Sequence, residues 1–369
     1  MKRILLVSTI NALNFGAALQ LAASSRILRR YGKVRVLDYS NPVIESSMKH
    51  FRFDLSVRGV FRLIKNVLRI GPKTKAINNF KKFYEANLFL TEKYDRQTLR
   101  SSSWNYDAAV AGSDQIWNPD CVSNDGQIDK AYFLDFLPKG TCKISYSSSL
   151  GGYVPDESYL SSVKPMLNTF SGVSVRETSM VTYISQVYSG TLVELLDPTL
   201  CLSAETWSKL MPPSEPNSQG DKEYILVYSL QRKRNLVRSA KKISKMTGTQ
   251  IYIVDHEPFP FFACGKHINT AGPSEFMSLV ANAKYVITDS FHGVCFSLIF
   301  STPFVAISSP YHDERLKSLF GNVGLTQSLH YSDETVSLEA FEIDFHSVHE
   351  KLEILNKKTE AFLNEHLAD

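Results

Sequence analysis

Cysteine is sparse and badly spaced in this 369-residue chain: Cys121, Cys142, Cys201, Cys264 and Cys295 stand singly, with no C-x-x-C pair. Cys264 with His267 and Cys295 with His292 each have a two-residue gap, but neither couple has a second pair nearby. A disulfide framework and a zinc site both lack support, and reduced thiols in a cytoplasmic protein are expected. Long apolar runs are missing too. After Met1-Lys2-Arg3 the run Ile4-Leu5-Leu6-Val7 stops at Ser8-Thr9, too short for a signal peptide and far below the ~20 residues of a membrane span. Excess charge is also absent: Lys plus Arg number 41 against 37 Asp plus Glu, a formal +4. No nucleic-acid partner is expected, and any electrostatic role is local. No G-x-G-x-x-G, Walker A or G-x-S-x-G segment occurs, which leaves dinucleotide, P-loop and hydrolase readings without support. No carboxylate cluster asks for a metal.

What is present is an ordinary globular composition, 43% hydrophobic and 21% charged, in a chain long enough for two domains of ~100–150 residues or more. The first forty residues read as strand (4–7), polar loop, helix (17–31) and strand (34–39), with Gly32 placed as a helix C-cap. Further short apolar strands are expected at 107–111, 143–147, 172–175 and 192–196, several ending in polar clusters. A Pro-, Ser- and Asn-rich loop at 211–221 marks a break. Strands at 224–228, 250–254, 285–288 and 304–307, with helices at 235–246, 274–282 and 294–300, then make a second doubly wound domain. The expected division is a domain over 1–210, a second over 221–345, and a helix within 346–369 packing back on the first. Between 48 and 82 ten Lys or Arg accompany a single acid, Asp54. Val57, Val60, Phe61, Ile64, Val67 and Leu68 share one helical face there, with Arg58, Arg62, Lys65 and Arg69 beside them. This basic amphipathic insertion suits either an anionic membrane surface or a solvated helix packed on its domain.

Three constellations can carry chemistry. Thr288-Asp289-Ser290-Phe291-His292-Gly293 sits at a strand-to-helix turn, where free backbone N–H groups favour a phosphate or carboxylate and His292 can donate a proton. The alternative is that Asp289 or Ser290 caps the helix and His292 packs under a loop. Arg176 stands at the tip of a strand, aimed where open parallel sheets bind ligands, and suits bidentate anion recognition; the alternative is an ion pair with Glu177. Ser113-Asp114-Gln115, with Trp117 and Asn118 behind, offers donors, acceptors and a flat face for a sugar, with Asp114 as candidate base. Trp117 could instead be core. Two basic clusters, Arg232-Lys233-Arg234 and His312-Asp313-Glu314-Arg315, are further candidates to face a cleft.

Together these segments resemble the polysaccharide pyruvyltransferase family. The matching pieces are Asn14-Phe15-Gly16 with Leu19-Gln20, Gly112-Ser113-Asp114-Gln115-Ile116-Trp117-Asn118, Ser174-Val175-Arg176-Glu177, Asp197-Pro198-Thr199 and Asp289-Ser290-Phe291-His292-Gly293, in this order. The resemblance implies an α/β fold of two Rossmann-like domains facing a cleft, similar to GT-B glycosyltransferases. It implies transfer of pyruvate from phosphoenolpyruvate to a sugar as a cyclic ketal. His292 corresponds to the family's essential histidine, and Arg176 to an arginine reaching the donor from the other side. A common family pattern has Arg two residues before that His, where this chain has Ser290, so a donor contact is expected from Arg232 or Arg315. The donor set is thus Arg176, Ser290, Phe291, His292, Gly293, Arg232 and Arg315, and the acceptor set Asn14, Gly16, Ser113, Asp114, Gln115, Trp117 and Asn118. No metal and no cofactor is expected besides phosphoenolpyruvate as co-substrate.

Family habit implies a lipid-linked, polyprenyl diphosphate-borne oligosaccharide acceptor for a capsule or exopolysaccharide, with a 4,6-ketal on galactose. It places the enzyme in the cytoplasm or on the inner face of the cell membrane. The competing readings are a GT-B glycosyltransferase using a nucleotide sugar and a non-catalytic glycan-binding protein.

Overall fold

The computed structural model describes residues 1–49, 58–211, 224–257, 265–308, 314–331 and 336–368, with the backbone alone over 58–69. Two parallel sheets organise it. The first runs β1 (Lys2–Val7), β2 (Gly32–Tyr39), β3 (Leu90–Tyr94), β4 (Ala108–Ala111), β5 (Cys142–Ser145), β6 (Gly172–Val175) and β7 (Thr191–Glu194), in the spatial order β3-β2-β1-β4-β5-β6-β7. The second runs β8 (Tyr224–Tyr228), β9 (Gln250–Val254), β10 (Lys266–Ile268), β11 (Tyr285–Thr288), β12 (Phe304–Ser308) and β13 (Leu329–Tyr331), in the order β10-β9-β8-β11-β12-β13. Every pairing is parallel. Strands buried on both faces read as continuous apolar runs, as Ile4–Val7, Ala108–Ala111 and Tyr224–Tyr228 do. Each sheet reverses its winding direction once, between β1 and β4 and between β8 and β11, and such switch points open a crevice at the carboxyl ends of the strands.

Several elements differ from their sequence expectation. Gly32 is not a C-cap: Arg29 closes the helix Phe15–Leu28, and Gly32 opens β2. A Cβ on Gly32 would lie 2.3 Å from the Lys2 carbonyl oxygen, so the residue serves close strand approach. The helix expected at 294–300 spans Phe291–Ile299, which puts His292 and Gly293 in its first turn. The edge strands β3, β10 and β13 had no counterpart in the sequence reading. Of the basic stretch 48–82, residues 50–57 lie outside the described residues, and the rest joins the 30-residue helix Arg58–Asn87. Where its side chains are described it is a core element, burying Ala76, Ile77, Phe80, Phe83 and Tyr84. Most of the loop at 211–221 lies outside the described residues, as do Cys264, His312 and Asp313.

The two sheets are joined by one aromatic cluster. Phe15, at the start of its helix, stacks on Phe276 (4.5 Å between centroids, 8° between planes) and Phe80 (5.6 Å), with Tyr228 at 5.7 Å. Trp207 lies 5.1 Å from Phe296. The last helix, Phe345–Leu367, returns to the first sheet: Lys2 Nζ donates to the Leu367 carbonyl (2.9 Å) and Tyr31 Oη to Asn364 Oδ1 (2.9 Å), while Arg30 pairs with Glu360 at 3.2 Å. No helix among the described residues is long and apolar enough to cross a membrane, and no disulfide joins the described cysteines.

Candidate active site

The carboxyl ends of β1, β4, β6 and β11 converge where the two domains meet. Asn14 Oδ1 accepts from Ala17 N (3.2 Å) and caps the helix that carries Gly16. A Cβ on Gly16 would lie 2.0 Å from His292 Nδ1, so the glycine lets the imidazole of the second domain rest against the first. This gives the Asn14-Phe15-Gly16 segment three separate tasks: cap, aromatic wedge and close approach.

His292 is 6% exposed. Its Nε2 is buried without a hydrogen-bond partner and faces Asp197 Oδ2 at 3.4 Å. Asp197, 1% exposed, follows β7 and is fixed by Thr199, whose N (3.0 Å) and Oγ1 (2.7 Å) both donate to Oδ1. Oδ2 accepts from Arg176 Nη1 (2.7 Å) and Ser113 Oγ (3.2 Å). Burial would raise the Asp197 carboxyl, but His292, Arg176 and the Thr199 amide outweigh it and hold it well below the carboxylate range.

Arg176, 4% exposed, also lies 3.6 Å from Glu177 Oε1 through Nε, so the ion pair weighed against a ligand role is present and is joined by a second one to Asp197. Burial would lower the Arg176 guanidinium; Asp197, Glu177 and Asp114 reverse that and keep it charged. Its Nε and Nη2 are buried and make no hydrogen bond. Glu177 accepts a short hydrogen bond from Ser149 Oγ, and burial raises its carboxyl despite Arg176.

Phe291 lies between two guanidiniums, that of Arg176 at 4.7 Å and that of Arg315 at 5.7 Å from its ring centroid. Arg315 makes no hydrogen bond or ion pair with any described residue. Burial lowers its guanidinium, Arg176 adds to that by repulsion, and Glu177, Asp114 and Cys121 oppose it. Arg232, by contrast, turns to Asp255 (3.7 Å) at the end of β9. Ser290 is a helix cap: its Oγ accepts from Gly293 N at 3.3 Å. Asp289 is structural, accepting from Ser229 Oγ, Leu230 N and Gln231 N to tie the loop after β8.

On the opposite wall, Asp114 follows β4 with φ +81°, a strained conformation for a residue with a side chain. Its carboxylate makes no hydrogen bond to a described residue and lines a pocket of about 260 Å³ with Thr9, Asn14, Gln115 and Cys121. Burial and Asp114 push the Cys121 thiol up to about 11. Gln115 Oε1 accepts from Asn118 Nδ2 (3.1 Å), and Asn118 Oδ1 caps the short helix Pro119–Val122. Trp117 does not reach the pocket: it is 2% exposed, stacks on Phe133 (5.1 Å, 8°) and donates to the Tyr132 carbonyl (3.1 Å). It is core, because its polar edge and flat face are both already spent. Ser113 likewise serves the Asp197 network and is fully buried.

The sequence reading left Asp197, Gln20 and Ser8 without roles. Gln20 Nε2 donates to Ser8 Oγ (3.0 Å), which donates to the Ser113 carbonyl (2.7 Å), so a buried polar chain backs the site. Their signal was membership of the same short segments, since each lies in or beside a piece that ends at the cleft.

Two Rossmann-like parallel sheets, with Asp114 and Arg176 at strand ends of the first and His292 and Arg315 on the second, define the GT-B-like class. The chain belongs to the polysaccharide pyruvyl transferase family, whose model matches residues 14–311, and is accordingly a transferase. Among solved structures it is similar to the UDP-GlcNAc 2-epimerase of Methanocaldococcus jannaschii in complex with UDP-GlcNAc and UDP. That match has 14% identity and a TM-score of 0.51, and covers 96% of this chain and 93% of that one. It is also similar to the UDP-N-acetylglucosamine 2-epimerase of Rickettsia bellii (13%, 0.41, 99% and 98%) and to an alpha-glucosyltransferase in complex with UDP (9%, 0.44, 100% and 96%). Identities this low bear on fold alone. No curated protein matches the chain.

Proposed function

We propose that this transferase moves the pyruvyl group of phosphoenolpyruvate onto two hydroxyls of one sugar, forming a cyclic ketal and releasing phosphate. The observation that carries the reading is the trio His292, Arg176 and Arg315 around Phe291, facing Asp114. Phosphoenolpyruvate brings a carboxylate and a phosphate. Arg315, which makes no hydrogen bond to a described residue, and the unused Nη2 of Arg176 supply donors for them, while the Phe291–Ile299 helix start adds its dipole. Arg315 therefore takes the anion contact expected of an arginine at the Ser290 position, and Arg232 is left to Asp255.

His292 delivers a proton to the enol methylene, leaving an oxocarbenium-like carbon that a sugar hydroxyl attacks as Asp114 accepts its proton. The second hydroxyl of the same sugar then bonds to that carbon as phosphate departs. Of the two hydroxyl protons, one restores His292 and the other leaves with phosphate. The acceptor we propose is a lipid-linked, polyprenyl diphosphate-borne oligosaccharide, ketalated at O4 and O6 of galactose. The basic stretch at 58–69 suits work at an anionic membrane surface.

The test is phosphate release from phosphoenolpyruvate with and without such an acceptor, with mass spectrometry of the glycan. Acceptor-dependent release and a mass gain equal to phosphoenolpyruvate less phosphoric acid are expected, with His292→Ala folded and inactive. No release with any acceptor, and thermal protection by a nucleotide sugar but not by phosphoenolpyruvate, would reject the reading.

A further inference from the structure

We propose that Asp197 is the positioning residue of the His292 acid, and that it works across the domain junction. The inference rests on the reading of His292 as proton donor. Asp197 belongs to the first domain and His292 to the second, yet the buried Nε2 lies 3.4 Å from Asp197 Oδ2. The two carboxylate oxygens have divided duties. Oδ1 is consumed locally by the two Thr199 donors, which fixes the rotamer. Oδ2 is shared by Arg176, Ser113 and His292.

That division makes Asp197 more than a counter-ion for Arg176. An imidazole that must carry a proton beside the Arg176 and Arg315 cations needs a negative charge on its far edge, and a carboxylate fixed from behind supplies it with little reorganisation. With Nε2 directed at Asp197, the Nδ1 edge is the one left to the substrate, and Gly16, having no side chain, leaves that edge room. A side chain at 16 would drive into this edge. The acid is therefore assembled by two first-domain contacts, Gly16 on one edge and Asp197 on the other, and is competent only with the domains apposed. Ligand distances in a ligand-free site are often long and tighten in the reacting complex, which fits the 3.4 Å separation.

The test uses the full-length protein. Asp197→Asn should lower kcat by about 10²-fold or more, a larger effect than the rise in KM for phosphoenolpyruvate that follows from weakening the Arg176 ion pair, because the tautomer and orientation of His292 are lost while Arg315 is untouched. Asp197→Glu should recover part of the rate. Thr199→Val keeps the carboxylate and the backbone donor to Oδ1 but removes the hydroxyl donor, and should give an intermediate loss; it keeps the inference testable where Asp197→Asn fails to fold. In protein carrying ¹⁵N-histidine and no substrate, an exchangeable, downfield Nε2–H signal of His292 should be present in the wild type and absent in Asp197→Asn. A wild-type kcat in Asp197→Asn, or a His292 signal unchanged by the substitution, overturns the inference. If the signal depends on Asp197 while the wild type releases no phosphate from phosphoenolpyruvate, pyruvyl transfer is rejected and the Asp197–His292 pairing stands.

Discussion

At the scale of single residues, Arg315 and Asp197 make opposite predictions. Arg315 touches an aromatic face and has no polar partner among the described residues, so removing it orphans no described carboxylate. Arg315→Ala should leave stability nearly unchanged and raise KM for phosphoenolpyruvate by about 10–100-fold, the cost of a charge-assisted hydrogen bond worth ~1.5–3 kcal/mol; steady-state kinetics against melting temperature separates the two. Asp197 is embedded, and its loss strands Arg176. Because its folded carboxyl is held below the unfolded value of about 3.9, its stabilising share is complete above roughly pH 5 and is lost as pH falls through the window beneath. Urea unfolding between pH 6 and pH 3 should therefore show a steeper loss of stability in the wild type than in Asp197→Asn. Equal slopes would mean that the pairing has no net effect on the folded carboxyl.

Elements show what a sequence can and cannot disclose. The inner strands β1, β4, β8 and β11 were legible because burial on both faces forces a continuous apolar run. The edge strand β3, Leu-Thr-Glu-Lys-Tyr, was not, since an edge facing water has no such pattern, and β10 and β13 are three residues each. Site segments were legible as short motifs at strand ends, but partnership was not: nothing local ties Asp197 to His292 or Gly16 to an imidazole ring. For Trp117 and the latter part of the 48–82 stretch the sequence offered two readings each, and the structure shows the core one for Trp117 and the packed helix for the stretch; a motif neighbour or a basic stripe does not reveal which face is already covered. The helix Phe345–Leu367 was read from its spacing alone, and its buried Phe362, Leu363 and Leu367 give that reading energetic content. Leu363→Ala should cost about 2–5 kcal/mol in chemical denaturation, the range for a fully buried leucine, with KM for phosphoenolpyruvate unchanged. A loss below about 0.5 kcal/mol would mean that the helix does not hold the first domain.

For the whole molecule, the question is whether two sheets make two folding units. Their boundary is crossed by the core: Phe15 and Phe80 of the first half and Tyr228, Phe276 and Phe296 of the second belong to one continuous buried cluster. Hydrogen bonds add to it, from Thr178 N to Ser318 Oγ (3.0 Å), Asn322 Nδ2 to Glu194 Oε1 (2.8 Å) and Asn79 Nδ2 to the Thr270 carbonyl (3.1 Å). A junction that resembles a core should transmit unfolding, so the wild type should lose tryptophan fluorescence and far-UV circular dichroism in one coincident transition. Phe15 is the side chain on which this depends, because it stacks on one residue of each domain, Phe80 and Phe276. Phe15→Ala should cost about 3–5 kcal/mol and separate the two probes, since Trp117 reports the first core and Trp207 the junction with Phe296. The same variant should lose turnover out of proportion to its residual fold, because the acid and its carboxylate sit on opposite sides of the junction that Phe15 wedges together. Two separate transitions in the wild type would show instead that the domains fold independently, and the apposition of Asp197 with His292 would then have to be supplied by the bound substrates.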